Sequence, residues 1–176
     1  SSSGYSWINH YTSSDNHSLL NPIWTGEQAS IFYSQGIVYT SPTGLTWSKN
    51  GNADSLTFNP ICWDGSNYLG LQYFEHPRRH IIVTSPHGYD WLYIDTIINS
   101  TRMNDVSWTV YNNIIVGKNV VIRSPPYGKS WERQFTDTPD NFQSIAVHDD
   151  IYVAVGDSVL VSSVGGEKWQ TRLTLP

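Results

Sequence analysis

An all-β fold of four-stranded, propeller-type blades is predicted by three features of the 176-residue sequence. The first is a Gly-x-x-Trp unit that returns as Gly44 and Trp47, Gly88 and Trp91, Gly128 and Trp131, and Gly166 and Trp169, with Gly4 and Trp7 opening the chain. The Trp-to-Trp intervals of 40, 44, 40 and 38 residues match one four-stranded blade per period and exceed a leucine-rich repeat. The second is a further Trp register. Trp24 and Trp108 stand 23 residues before Trp47 and Trp131, Trp63 stands 28 before Trp91, and Ala146 holds the place 23 before Trp169. All eight tryptophans thus occupy two repeated positions. The third is the text between them: short runs of Val, Ile, Tyr and Trp bounded by Gly, Asn, Asp and Pro. No stretch keeps helical apolar spacing over three turns.

Taken in order, residues 1–17 read as the outer strand of a preceding blade, because "SSSGYSW" is a turn followed by a strand start. Residues 18–54 form blade one, with Trp24 early and the turn "SPTGLTWS" late. Residues 55–98 form blade two, closing on "SPHGYDWL" and carrying about five extra residues between Trp63 and Trp91. Blade three spans 99–138. Blade four spans 139–176, where "FQSIAVH", "IYVAVG" and "VLVSS" are strands separated by "DD" and "DS". A Ser precedes each unit, at Ser41, Ser85, Ser124 and Ser162, and Trp47, Trp91 and Trp131 are expected to be largely covered between blades. The opening strand admits two explanations: the chain is a piece of a longer repeat protein, which is the favoured expectation, or that strand completes closure with another segment or subunit. Blade edges stay exposed until neighbours cover them.

These turns resemble the Asp-box, or BNR, repeat of sialidase-like β-propellers, Ser/Thr-x-Asp-(x)-Gly-x-Thr-Trp/Phe. Bacteriophage tail-fibre and bacterial surface proteins with "TSPDGxTW" repeats are similar. The resemblance implies that the box joins the third and fourth strands of each blade. The box Asp is replaced by Thr43, His87, Pro126 and Val164. Its usual role is to cap turn amides, so the turn is expected to rest on Gly, Pro and the packed indole, and no metal site is expected there.

The chain has 10 Lys plus Arg against 15 Asp plus Glu, a formal charge of −5, which argues against a nonspecific nucleic-acid or anionic-membrane surface. It has no apolar run long enough to span a bilayer. Aromatic and charged residues each make up 14%, leaving an exterior rich in Ser, Thr, Asn and Tyr. Such a surface suits sugars or wet protein contacts, and β-rich proteins also use these residues simply in strands and turns. The single cysteine, Cys62, can form no intrachain disulfide and reads as a small buried apolar residue.

In a blade running from axis to rim, the inter-blade loops share one face with the hairpin between the second and third strands, opposite the box turns. That face would carry the loops 12–17, 50–55, 96–102 and 136–141. Asn52, Asp54, Asn99, Arg102 and Asp140 could hydrogen-bond a ligand there, although exposed β-loops carry the same residue types. The extra residues of blade two, "YFEHPRRHI", add Tyr73, Glu75, His76, Arg78, Arg79 and His80 to it. Insertions in repeat proteins map to the binding face, and Arg forks beside an aromatic can clamp a carboxylate. A solvated hairpin tip explains the same letters. His76 and His80 flank Pro77 and do not share a helical face, so no zinc site is assigned. Sialidase activity would require, by the resemblance, three substrate-gripping Arg, a Tyr–Glu pair and an Asp acid. Arg123, Arg133 and Arg172 lie beside box turns or in outer strands, and the triad cannot be assembled. The expectation is therefore a non-enzymatic recognition module without cofactor, binding a surface glycan or protein receptor from an extracellular or virion setting. A structural or protein-interaction propeller is the alternative, with a sialidase-type glycoside hydrolase third. Self-association would run through a fibre stem or through blade-edge closure.

Overall fold

The computed structural model describes residues 19–33, 37–50, 58–98, 101–109, 111–125 and 130–175; Trp7, Asn52, Asp54, Asn99 and Gly128 lie outside them. The described residues contain no helix and form four antiparallel four-stranded sheets, each in sequence order. Blade one is β1 (Leu19–Trp24), β2 (Ala29–Tyr33), β3 (Val38–Ser41) and β4 (Ser48–Asn50). Blade two is β5 (Ile61–Trp63), β6 (Tyr68–Phe74), β7 (Arg79–Ser85) and β8 (Leu92–Ile98). Blade three is β9 (Met103–Trp108), β10 (Asn113–Gly117), β11 (Val120–Ser124) and β12 (Glu132–Thr136). Blade four is β13 (Ser144–His148), β14 (Ile151–Val155), β15 (Val159–Val164) and β16 (Lys168–Thr174). The outer strands β12 and β16 also pair in parallel, Phe135 with Lys168 and Thr136 with Trp169.

The core lies between blades rather than within them. Blades one and two bury Phe32, Val38, Phe58, Ile61, Tyr68 and Val83 together. Leu69, Leu71 and Ile82 meet Met103, Val106 and Ile115 between blades two and three. Ile114, Val116 and Val121 meet Tyr152, Ala154 and Val161 between blades three and four. This explains the run "NIIVG" of β10, in which every residue is buried: a strand covered on both faces needs no polar alternation. Polar clips cross the same seams. Tyr68 and Ser30 hydroxyls lie 2.6 Å apart, Tyr152 and Thr109 hydroxyls 2.8 Å apart, and Asp105 Oδ2 accepts from Ser144 Oγ and the Ile145 amide at 2.7 and 2.9 Å.

Register aligns the blades residue by residue. Ala29, Tyr68, Asn113 and Tyr152 each pair with a box serine, Ser41, Ser85, Ser124 and Ser163. The last is Ser163 rather than Ser162. On the other side the same four residues pair with Trp24, Trp63, Trp108 and Val147, so Val147, not Ala146, holds the inner Trp position in blade four. The box turn of blade four is one residue shorter than that of blade three, and counting back 23 residues therefore overshoots by one.

The box turn also differs from expectation in what holds it. Ser41 Oγ accepts the Gly44 and Thr43 amides at 2.8 and 3.4 Å, and Ser85 Oγ accepts the Gly88 and His87 amides at 2.8 and 3.3 Å. A fully buried serine therefore takes over the amide-capping task of the absent Asp in blades one and two. Gly44 and Gly88 sit at φ 77° and 82°, where a side chain would be strained. The indole closes the turn in two blades: Trp47 Nε1 donates to the Gly44 carbonyl and Trp169 Nε1 to that of Gly166, at 3.2 and 3.1 Å. Among the described box indoles only Trp169 is buried; Trp47, Trp91 and Trp131 are half-buried, less covered than the repeat alone suggested. Trp91 packs on Phe58 at 4.4 Å between ring centroids, so its contacts still bridge blades. Cys62 is half-buried against the seam of blades two and three, and desolvation, with Asp64 and Asp105 nearby, pushes its thiol far above the usual range, which leaves it unreactive.

Candidate functional site

The insertion in blade two is a lengthened hairpin. In blade three Gly117 pairs with Val120 around the tip Lys118 and Asn119, and in blade two the pairing runs on through Tyr73 with His80 and Phe74 with Arg79. Strand alternation sends these two added pairs to opposite sheet faces. Tyr73 and His80 continue the Leu71 and Ile82 side, toward blade three, where the Met103 amide donates to His80 Nε2 at 3.4 Å. Phe74 and Arg79 take the other side, with the Arg79 guanidinium 4.7 Å from the Phe74 ring centroid. The adjacent arginines Arg78 and Arg79 therefore do not form one clamp. Arg78 lies in the turn and lines the cavity, whereas Arg79 is the first strand residue and faces the other side.

A cavity of about 520 Å³ opens between this hairpin and the connections on either side of it. Tyr73, Glu75, Arg78 and His80 come from the hairpin, Arg102 and Asn104 from the entry to blade three, and Asn59 from the approach to blade two. Five of the residues singled out in the sequence thus line one space: Tyr73, Glu75, Arg78, His80 and Arg102. His76 and Arg79 do not line it. Asp140 is engaged elsewhere, its Oδ2 accepting the Ser158 and Val159 amides at 2.9 Å each. Burial pushes that carboxyl up, but the Ser158, Asn141 and Val159 amides outweigh it and hold it below the usual carboxylate range, as expected of a loop clamp. Asn59 and Asn104 were not legible as site residues, since each precedes or opens an inner strand and carries no motif. Asn104 is tied to blade four through Nδ2 to the Phe142 carbonyl at 2.8 Å.

The electrostatics of the cavity favour an anion. Glu75 is already shared, accepting from Tyr73 Oη at 2.7 Å and from Arg78 Nε at 3.3 Å. The Tyr73 hydroxyl, then Arg78, hold it below the usual carboxylate range, and Tyr73 is raised in return. Arg102 is exposed, and no described residue pairs with its guanidinium. Its backbone is fixed, because the Lys118 amide donates to the Arg102 carbonyl at 3.0 Å and Thr101 Oγ1 donates to the Lys118 carbonyl at 2.7 Å. His80, 1% exposed and 4.9 Å from the Tyr73 ring centroid, is pushed by burial down to about 4 and is neutral near pH 7. Two guanidinium charges thus face one carboxylate. A wider groove of about 750 Å³ lies at the opposite end of the strands, by Trp108, Tyr111, Asp149 and Asp150, and has no Arg or Lys in its lining.

His80 gives a pH signature. Its folded pKa lies below the unfolded value of 6.5, so between 6.5 and about 4 the unfolded chain binds a proton that the folded chain does not. The contribution of His80 is fully present above 6.5 and is lost as pH falls toward 4, by up to about 3 kcal/mol. Denaturant unfolding from neutral pH down to about 4 should show this slope, and His80→Gln should flatten it. An unchanged slope in the variant would show that another group is responsible.

No family model matches the chain, and no curated protein matches it. Its fold does match solved structures. "YCF48 bound to D1 peptide" superposes with a TM-score of 0.60 at 12% identity, over 93% of this chain and 55% of that one. "Crystal structure of Nidogen/Laminin Complex" gives 0.62 at 9% identity, over 86% and 66%. "Complex of KlAtg21 with coiled-coil of AgAtg16" gives 0.54 at 8% identity, over 85% and 53%. The chain spans between half and two thirds of the length of these solved chains. Four radial sheets in sequence order, seams that carry the core, and these superpositions together establish an all-β, β-propeller fold.

Proposed function

We propose that this chain is a non-enzymatic interaction module that takes an acidic segment of a polypeptide partner at the blade-two hairpin. The observation that carries the reading is the convergence of Arg78 and Arg102, from separate loops, on a cavity whose one carboxylate is already occupied. Tyr73 supplies a stacking surface beside the two guanidinium groups. Nothing in the cavity is poised as an acid or base: Glu75 is held ionised, and His80 is neutral with Nε2 accepting a backbone amide. Three of the similar structures are complexes with a peptide or a protein, which supports a polypeptide over a glycan.

The test is fluorescence anisotropy with a glutamate-rich peptide and, in parallel, with an acidic bacterial glycan. The peptide should bind and weaken with salt. Arg78→Ala with Arg102→Ala should lower its affinity by about 1–3 kcal/mol while leaving the melting temperature nearly unchanged. Glycan binding without peptide binding would replace this reading with a surface-glycan receptor. Unaltered affinity in the double variant would remove the cavity from consideration.

A further inference from the structure

The turn between the first and second strands has the same closure in the first three blades. The amide of Thr25 donates to the Gln28 carbonyl, that of Asp64 to Asn67 and that of Thr109 to Asn112, at 3.0, 2.8 and 2.9 Å. The inner tryptophan of the following blade borders this turn. Trp63 shares a cavity wall with Thr25, Glu27 and Gln28 of blade one. Trp108 lies so close upon blade two that a Cβ on Gly65 would come within 2.8 Å of its ring. Blade four has no such indole: Val147 holds that position and lines a groove with Thr109 and Tyr111 of the blade-three turn. The groove measures about 750 Å³, against about 510 Å³ for the cavity that Trp63 walls. A repeated indole is thus missing from one of the three described seams, and the space left there is of ligand size.

The lining of this groove is aromatic from one blade and acidic from the other. Trp108 and Tyr111 come from blade three, the latter 63% exposed, and Asp149 and Asp150 come from the turn between β13 and β14. Asp64, Asp105, Asp137 and Asp140 each accept a backbone amide and so serve the fold. The Asp150 carboxylate accepts nothing from the described residues, and Asp149 has only His148 Nε2, at 3.6 Å. Carboxylates left free beside two aromatic rings suit a cation, which gains charge-assisted hydrogen bonds from the one and attraction to the π-faces of the other. Val147 adds an apolar floor for an alkyl stem. A neutral sugar would use the rings and leave the negative charge unanswered.

We infer that this groove is a second binding site, for a lysine or arginine side chain carried by a basic segment of a polypeptide. The alkyl stem lies along Val147 beside Trp108 and Tyr111, and the ammonium or guanidinium group meets Asp149 and Asp150. Ile151 adjoins Asp150 and pairs with Val164, and both are exposed, at 49% and 68%. These apolar positions extend the surface past the reach of one side chain, which a segment uses and a free amine does not. The formal charge of −5 draws a basic partner toward the molecule. The site is opposite in charge to the arginine cavity and lies at the other end of the strands.

The probe is an end-blocked, lysine-rich peptide followed by fluorescence anisotropy, compared with the same peptide fully acetylated on lysine, with n-butylamine as a free amine, and with a neutral oligosaccharide. The unmodified peptide should bind and weaken with salt, and the acetylated form should not bind. Val147→Trp restores the indole of the repeat to the groove and should lower affinity by about tenfold or more. Because that variant could disturb the seam, Asp149→Asn with Asp150→Asn gives a second measurement. Asparagine tolerates the φ of 54° at position 149, so circular dichroism should be unchanged while affinity falls by a similar factor. Both variants should bind the glutamate-rich peptide as before, which separates this site from the arginine cavity. Equal binding of the acetylated peptide, unaltered affinity in both variants, displacement by an equal concentration of butylamine, or binding of the oligosaccharide alone would overturn the inference.

Discussion

Replacing Trp169 by alanine should lower the free energy of unfolding by about 3–5 kcal/mol, the range for a large aromatic lost from a core. Trp169 is 3% exposed and belongs to the seam between blades three and four, with its ring centroid 6.3 Å from that of Tyr152. Truncation removes that contact and the hydrogen bond to the Gly166 carbonyl, and it leaves a cavity that the backbone pairing of Trp169 with Thr136 prevents from collapsing. The comparison variant is Trp47→Ala. Its indole makes the same bond to Gly44 but is only half-buried, so its loss should cost about 1–2 kcal/mol. Urea unfolding followed by circular dichroism measures both. Equal costs would mean that the seam does not carry the stability assigned to it.

Gly117→Ala should act on stability and on binding together. A Cβ at that position would overlap the Arg102 carbonyl oxygen and lie 2.8 Å from Met103 Cα. Both are backbone atoms, so neither can swing aside, and overpacking of this kind costs about 1–3 kcal/mol or more. The displaced segment is the one that presents Arg102 to the cavity. A lower melting point together with weaker binding of the glutamate-rich peptide is therefore expected. Retained affinity alongside the lost stability would show that Arg102 does not contribute to the site.

The sequence made the blades legible because two Trp registers and a forty-residue period are properties of spacing, which survives without coordinates. The lengthened hairpin from Tyr73 to His80 was legible for the same reason. What spacing could not supply was orientation. Arg78 and Arg79 are neighbours in the text, yet Arg78 stays in the turn and lines the cavity while the ladder places Arg79 opposite Phe74, on the other side from Tyr73 and His80. The turn was expected to rest on Gly, Pro and the indole, and the task of Ser41 and Ser85 became visible only when the Gly44 and Gly88 amides were seen to point at them. Ala146 and Ser162 were each placed one residue early, because a count along the chain cannot see that blade one carries one residue more in its middle hairpin and blade three one more in its box turn.

The parallel pairing of β12 with β16 has a consequence for how the molecule comes apart. Backbone hydrogen bonds join the rims of blades three and four, and Asp137 reinforces them by accepting the Thr171 amide at 3.0 Å and hydroxyl at 2.6 Å. The seams next to blade two are held at the inner strands and by side chains, without such a rim strap among the described residues. Amides of β12 and β16 can exchange with solvent only when both blades open, so these two blades form one cooperative unit, while blades one and two can loosen separately. In native-state deuterium exchange, the slowest amides should therefore be shared across this rim.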